Sequence, residues 1–263
     1  MKNNPGSKRI INFLYKKLYP GRKKKKSEDD LRRVYLPENG PAGNLGYLLY
    51  DIKRKGFKCD CILDVGAHDT QWIRMQMKLF PDATAYLIEP LSEMEQHLKD
   101  FCSDYPTSKY FLCGAGSKEG NFYLTVSGHL EGANFLQKSN KTFRESNRQR
   151  EVKIITIDSL LESGEIDMPG LVKLDIQGFE LEALKGAEML FGNTEIFILE
   201  VSFFEFIEGT PLFSEVVGFM SLKGYEIYDF PGFLRRPFDN ALGQADVCFV
   251  RKDGFLRSSN AWF

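Results

Sequence analysis

The sequence predicts an α/β domain built on a doubly wound, mostly parallel sheet with an inserted β-hairpin. Three observations point there. Short runs rich in β-branched and aromatic residues alternate with stretches of helical character along most of the chain, the pattern of strands covered by helices. One run, Ile196–Val201 (IFILEV), is apolar on both faces, as a central parallel strand should be. The length, 263 residues with 43% hydrophobic and 13% aromatic side chains, suits one large α/β domain and excludes a wholly disordered chain.

The elements follow in order. Cys61–Val65 (CILDV) reads as a buried strand. Thr70–Phe80 carries apolar residues among helix formers and stops at Pro81-Asp82. Thr84–Ile88 is the second strand, and a helix over Ser92–Phe101 follows, with Ser92 as its expected cap and Glu95 three residues on. Lys109–Cys113 is a third strand. Asn121–Val126 and Val152–Ile157 both alternate like half-exposed strands around a polar stretch, residues 128–150, expected to be a mobile loop. Leu171–Leu174 is a fourth core strand, Glu180–Phe191 a helix, and Ile196–Val201 the fifth strand. A helix over Phe213–Leu222 ends at Gly224, β-structure resumes at Tyr225–Asp229, and Asp246–Val250 is the last strand.

Charge divides the chain. Residues 1–26 hold eight Lys and two Arg and no acid, so the remaining chain, within a total of −1, carries −11. No apolar run reaches the roughly 18–20 residues of a membrane-spanning helix. The apolar stretch Ile10–Leu18 is cut by Lys16 and Lys17 and lacks a small-residue cleavage site, which argues against a signal peptide. The five cysteines are odd in number, and Cys59-Asp60-Cys61 lacks the spacer of a metal or redox pair. Reduced, buried thiols in a cytoplasmic protein are expected, and no structural metal.

In a doubly wound sheet, ligands sit beyond the carboxyl ends of the strands. Here those ends are acidic: Asp64 with Gly66, Ala67 and His68 on the first, Glu89-Pro90 on the second, Asp175 with Gln177 on the fourth, and Glu200 on the fifth. Carboxylates gathered at one edge repel one another unless a cation or ligand donors meet them there. The first turn has one glycine where a dinucleotide needs Gly-x-Gly-x-x-Gly, and a Walker lysine loop is absent. Glu89, one β-α unit on, suits the two hydroxyls of an unphosphorylated ribose. A nucleoside whose tail carries an ammonium and a sulfonium fits such an edge, and the expected cofactor is S-adenosyl-L-methionine. Gly114 and Ala115, past the third strand, join Asp64, Gly66, Ala67, His68, Glu89, Pro90 and Asp175 as the expected cofactor contacts.

Several blocks follow one another in family order: Leu63-Asp64-Val65-Gly66-Ala67-His68; Leu87-Ile88-Glu89-Pro90; Thr156-Ile157-Asp158-Ser159-Leu160; Val172-Lys173-Leu174-Asp175-Ile176-Gln177-Gly178-Phe179-Glu180 with Leu184-Lys185-Gly186-Ala187; Leu199-Glu200-Val201-Ser202-Phe203; and Gln244-Ala245-Asp246-Val247-Cys248-Phe249-Val250. In order and spacing they resemble the FkbM family of S-adenosylmethionine-dependent methyltransferases. The resemblance covers roughly residues 59–252. It divides the chain into a basic tail with a helical lead-in (1–58), the methyltransferase domain (59–252) and a C-terminal tail (253–263). The family usually has Gly where this chain has Thr70, and often Glu where it has Gln177. The resemblance implies a Rossmann-like class I methyltransferase fold with an antiparallel last strand, and O-methylation of a sugar, glycolipid or polyketide-like acceptor.

An aliphatic hydroxyl loses its proton as it is methylated, so a nearby base helps. Asp175 and His68 are the catalytic candidates, and His129 on the polar loop is a third. Gln177, Glu180, Glu200 and His129 are the candidate substrate contacts. Lys173, on a buried strand, is expected to pair with a neighbouring carboxylate. Aromatic residues Phe203, Phe204, Phe206, Phe213, Tyr225, Tyr228, Phe230 and Phe233 suit core and rim packing, with a subset available to stack on a sugar ring. The polar loop, with Lys138, Lys141, Arg144, Arg148 and Arg150, hints at an anionic acceptor. Ile10, Ile11, Leu14, Tyr15 and Leu18 recur at helical spacing beside Lys23–Lys26, a pattern suited to an anionic membrane surface at the inner face of the membrane. The acidic body argues against nucleic acid as a partner.

Overall fold

The first described element is a helix, α1 (Leu45–Arg54), begun by Asn44, whose side chain accepts the Tyr47 N–H at 2.8 Å. It buries Leu48, Leu49 and Ile52 in the core. The computed structural model describes residues 42–126, 130–136 and 148–261. The expectations placed on Ile10–Leu18, Lys23–Lys26, His129, Lys138, Lys141 and Arg144 lie outside the described residues.

Two β-α units and a third strand follow: β1 (Cys61–Val65), α2 (Gln71–Leu79), β2 (Thr84–Ile88), α3 (Glu95–Asp104) and β3 (Lys109–Phe111). A second, small sheet comes next, from β4 (Gly114–Ala115), β5 (Gly120–Thr125) and β6 (Gln149–Ile155). The main sheet resumes with α4 (Ile157–Glu162), β7 (Leu171–Leu174), α5 (Glu180–Lys185), β8 (Ile196–Ser202) and α6 (Phe213–Leu222), and closes with β9 (Tyr225–Arg235) and β10 (Leu242–Arg251). Its seven strands run in the order β3-β2-β1-β7-β8-β10-β9, and β10 is antiparallel to both its neighbours. This is the class I methyltransferase arrangement. Successive strands diverge on either side of the β1–β7 pair, so the crevice of a doubly wound sheet opens there.

Period-two alternation divides the core between the two faces of the sheet. Ile62, Leu87, Ile198 and Cys248 face the layer of α1 and α2, while Leu63, Val65, Leu174, Leu199 and Phe249 face that of α5 and α6. All five cysteines are free, and burial pushes the thiols of Cys59 and Cys113 up to about 12. Among the described residues no helix is long and apolar enough to cross a membrane.

The last two strands are longer than expected, the one from Tyr225 running on to Arg235 and the other beginning at Leu242, and four further departures each have a local cause. Ser92 does not cap a helix: its hydroxyl bonds Glu93, residues 92–94 form a 3-10 turn, and α3 begins at Glu95. The strand expected to run to Ile157 stops at Ile155, because the Thr156 side chain accepts the Ser159 N–H at 3.1 Å and starts α4. The helix expected over Glu180–Phe191 breaks at Gly186, where a Cβ would collide with the carbonyl oxygen of Gly116. Finally, the inserted hairpin gains a third strand, since β4 pairs with β6 in parallel.

Candidate active site

The turn after β1 is held in an uncommon conformation. Gly66, His68 and Thr70 all have positive φ, at 81°, 44° and 66°. Gly66 is required on two counts, its φ and its contact with β7: a Cβ there would collide with the Asp175 carbonyl oxygen. Thr70 occupies a left-handed position at the start of α2, a conformation that favours glycine. The turn is fixed by Glu89, whose Oε2 accepts the His68 N–H at 2.8 Å while Oε1 accepts that of Leu91 at 2.9 Å. Burial raises the Glu89 pKa, and those two N–H groups pull against the rise.

Lys173 stands among the carboxylates. Asp64 and Lys173 are register partners across β1 and β7, with Nζ 3.4 Å from Asp64 Oδ1 and 3.4 Å from Asp175 Oδ2. The same ammonium donates to the Gly66 carbonyl at 3.3 Å and lies 5.5 Å from the Trp72 ring centre. Burial presses the Lys173 pKa down, but attraction to Asp64 and Asp175 outweighs it and the pKa rises.

On the other side of Asp175, Gln177 bridges two acids. Its Nε2 donates to Asp175 Oδ1 and to Glu200 Oε2, both at 3.1 Å, and Gln244 Nε2 donates to the same Glu200 oxygen at 2.8 Å. Burial first, then the negative neighbours Asp175, Glu180 and Asp246, push Glu200 up to about 9. Glu180 turns inward: its Oε1 accepts the N–H groups of Ile176 (2.9 Å) and Gly178 (3.2 Å), and burial pushes it up to about 7.

A cavity of about 730 Å³ opens over these groups. Gly66, Ala67, His68, Glu89, Pro90, Gly114, Ala115, Asp175, Gln177 and Glu200 line it, so the structure brings together most of the residues singled out from sequence. Asp64 and Glu180 do not line it. The first stands behind the wall and holds Lys173; the second shapes the turn over residues 176–178. His129 lies outside the described residues. His68 Nε2 is buried without a hydrogen-bond partner among the described residues. No cluster of described residues has the composition of a metal site.

Residues 64–227, more than half of the chain, match the Methyltransferase FkbM domain. The chain belongs to the FkbM methyltransferase family. It is similar over 50 residues, at 42% identity, to the hexuronic acid methyltransferase AglP of Haloferax volcanii, a match covering 19% of this chain and 21% of that protein. Among solved structures it is similar to methyltransferase FkbM from Methylobacillus flagellatus KT, with TM-score 0.46, 16% identity, and 72% of this chain and 44% of that one covered. It is also similar to precorrin-6y C5,15-methyltransferase from Geobacter metallireducens GS-15, with TM-score 0.43, 10% identity, and 89% and 94% covered.

In this FkbM-family chain the sequence understated part of the cavity wall. Gln244 and Leu234 line the cavity from the last two strands. Because β10 is antiparallel, its first residues, not its last, lie at the ligand edge, and inspecting only the residues that follow each strand passes over them. Trp72 and Phe135 provide aromatic surface. The eight aromatics named from sequence do not line the cavity; Phe203, Phe213, Phe230 and Phe233 pack on one another in series, with centroids 5.2, 6.2 and 5.9 Å apart. Arg150 of the polar loop pairs with Glu93 through two contacts of 2.8 and 2.6 Å.

Proposed function

We propose that this chain transfers the methyl group of S-adenosylmethionine to a hydroxyl of a sugar, glycolipid or polyketide-like acceptor. The carrying observation is the position of Asp175. It lies on the cavity wall at the β1–β7 crevice, with one carboxylate oxygen toward Lys173 and the other toward Gln177. Membership of the FkbM family supports the reading.

The residues present fit the cofactor. Glu89 is fixed by two backbone N–H groups and still has lone pairs for ribose hydroxyls. His68 presents an unpartnered Nε2 beside it. Gly66, Ala67, Pro90, Gly114 and Ala115 offer small or rigid walls on which an adenosyl group would lie. When bound, S-adenosylmethionine supplies an electrophilic methyl on a sulfonium that leaves as a neutral thioether.

The chain's own part is to orient the acceptor hydroxyl, exclude water and take up the released proton. Asp175 is assigned the proton, with His68 as the second candidate; Gln177 and Glu200 hold the acceptor. Calorimetry with S-adenosylhomocysteine and methyl transfer from labelled S-adenosylmethionine to a panel of sugars test the reading together. Saturable binding and labelled product are expected. Failure of the folded protein to bind S-adenosylhomocysteine would overturn it.

A second proposal concerns the tail. The amphipathic run Ile10–Leu18 with Lys23–Lys26 supports docking on an anionic membrane surface at the cytoplasmic face.

A further inference from the structure

We infer that Gln177, Glu200 and Gln244 form the acceptor-reading wall of the cavity and select an uncharged, hydroxylated ring over an acid. The inference rests on the methyl-transfer reading of this same cavity and deepens it to a substrate class.

The three side chains form one unit. The amide nitrogens of Gln177 and Gln244 both donate to Glu200 Oε2, at 3.1 and 2.8 Å. Among the described residues no hydrogen bond reaches Glu200 Oε1 or either amide carbonyl oxygen. The wall therefore keeps two amide carbonyl oxygens of cavity-lining residues, those of Gln177 and Gln244, as acceptors for a ligand. Oxygens of this kind receive hydrogen bonds from hydroxyl groups. An ionised carboxylate or phosphate brings only lone pairs to them and meets repulsion.

The charges around the wall act in the same direction. Facing Glu200 are Asp175 at the end of β7, Glu180 on α5, Asp246 on β10 and, with opposite sign, Lys173. Among the described residues lining the cavity, Lys173 is the one lysine or arginine, and Asp64 and Asp175 already flank its ammonium at 3.4 Å each. An acidic acceptor would approach Asp175 without a free cation among these residues to receive it. Leu234, 57% exposed, is the register partner of Gln244 and also lines the cavity, giving an apolar surface for the C–H face of a ring.

The opposite preference would follow if Lys138, Lys141 and Arg144 served the acceptor, so matched acceptors decide. The full chain, saturated with S-adenosylhomocysteine, is titrated by ligand-observed NMR with methyl glucoside and methyl glucuronide, and with the corresponding galactose pair. Turnover of each is measured with labelled S-adenosylmethionine. The neutral member of each pair should bind, and should be methylated with kcat/KM at least about tenfold higher, the scale expected when one partner meets unpaired polar groups. Gln244→Leu should raise KM for the neutral sugar about tenfold or more and leave S-adenosylhomocysteine affinity unchanged. Glu200→Gln, which keeps a neutral side chain of the same shape, should retain most of the activity that Glu200→Ala loses. Preference for the uronic acids, binding of neither member, or an unchanged KM in Gln244→Leu would each overturn the inference. Absence of S-adenosylhomocysteine binding in the wild type would instead remove the methyl-transfer reading beneath it.

Discussion

Lys173 Nζ lies 3.4 Å from Oδ1 of Asp64, its register partner, and Asp64 is fully shielded from solvent. Neither Asp64 oxygen has another hydrogen-bond partner among the described residues, so the ammonium is the main compensation for a buried acid. Lys173→Met should therefore destabilise the fold by about 3–5 kcal/mol in denaturant unfolding, the cost of stranding one member of a buried pair. The double variant Asp64→Asn, Lys173→Met should recover most of that loss. If the double variant is no more stable than the single one, Lys173 stabilises the site by packing over Trp72 instead.

Asp175 is the predicted proton acceptor. Its two oxygens meet Lys173 and Gln177, and an asparagine can keep similar shape at both contacts. Asp175→Asn should leave S-adenosylhomocysteine affinity within about threefold and lower turnover by about 100-fold or more, the usual share of a general base. Full turnover in this variant would transfer the role to His68.

Glu89 has a different signature. Its carboxylate ties His68 to Leu91 and faces the cavity, so Glu89→Ala should weaken S-adenosylhomocysteine binding by about tenfold or more, as loss of hydrogen bonds to a charged group does. Glu89→Gln keeps one carbonyl acceptor and should fall between the two. Calorimetry showing equal affinity in all three proteins would remove the proposed ribose contact.

The strands that position these residues were legible because each is a short apolar run ended by a turn signal. Cys61–Val65, Thr84–Ile88 and Leu171–Leu174 stand at the expected bounds. Boundaries set by long-range contact were not. Gly186 breaks its helix because of Gly116, seventy residues earlier in the chain. The acidic edge was legible as a set of residue types, but its neutralisation was only partly so. That Lys173 pairs follows from its burial, whereas its reach to both Asp64 and Asp175 depends on strand register. Gln244 was hidden by the reversed direction of β10.

The tail makes a separable prediction. Flotation with liposomes containing phosphatidylserine should recover the full chain in the lipid fraction and leave a version beginning at Ser27 behind. The ten positive charges of residues 1–26 would each contribute up to about 1 kcal/mol near such a surface at low salt. Equal flotation of the two proteins would remove the membrane role.

Stability should fall as pH rises, because two buried acids hold protons in the fold that the unfolded chain gives up. Glu180 moves from an ordinary 4.5 up to about 7, and Glu200 from 4.5 up to about 9. A raised pKa means the folded state binds more protons across that interval, so its contribution is fully present below 4.5 and lost as pH climbs. Both groups act from 4.5 to about 7, and Glu200 alone from there to about 9. Glu200→Gln removes one of the two, since an amide neither gains nor loses a proton. Thermal unfolding from pH 5 to pH 9 should therefore show the variant gaining on the wild type as pH increases, with the gain levelling off near pH 9 where Glu200 ionises in the fold; Glu180 titrates in both proteins and drops out of the difference. A constant difference between the two curves would mean that Glu200 is already ionised in the fold, and the uncharged acceptor wall would have to be redrawn around a carboxylate.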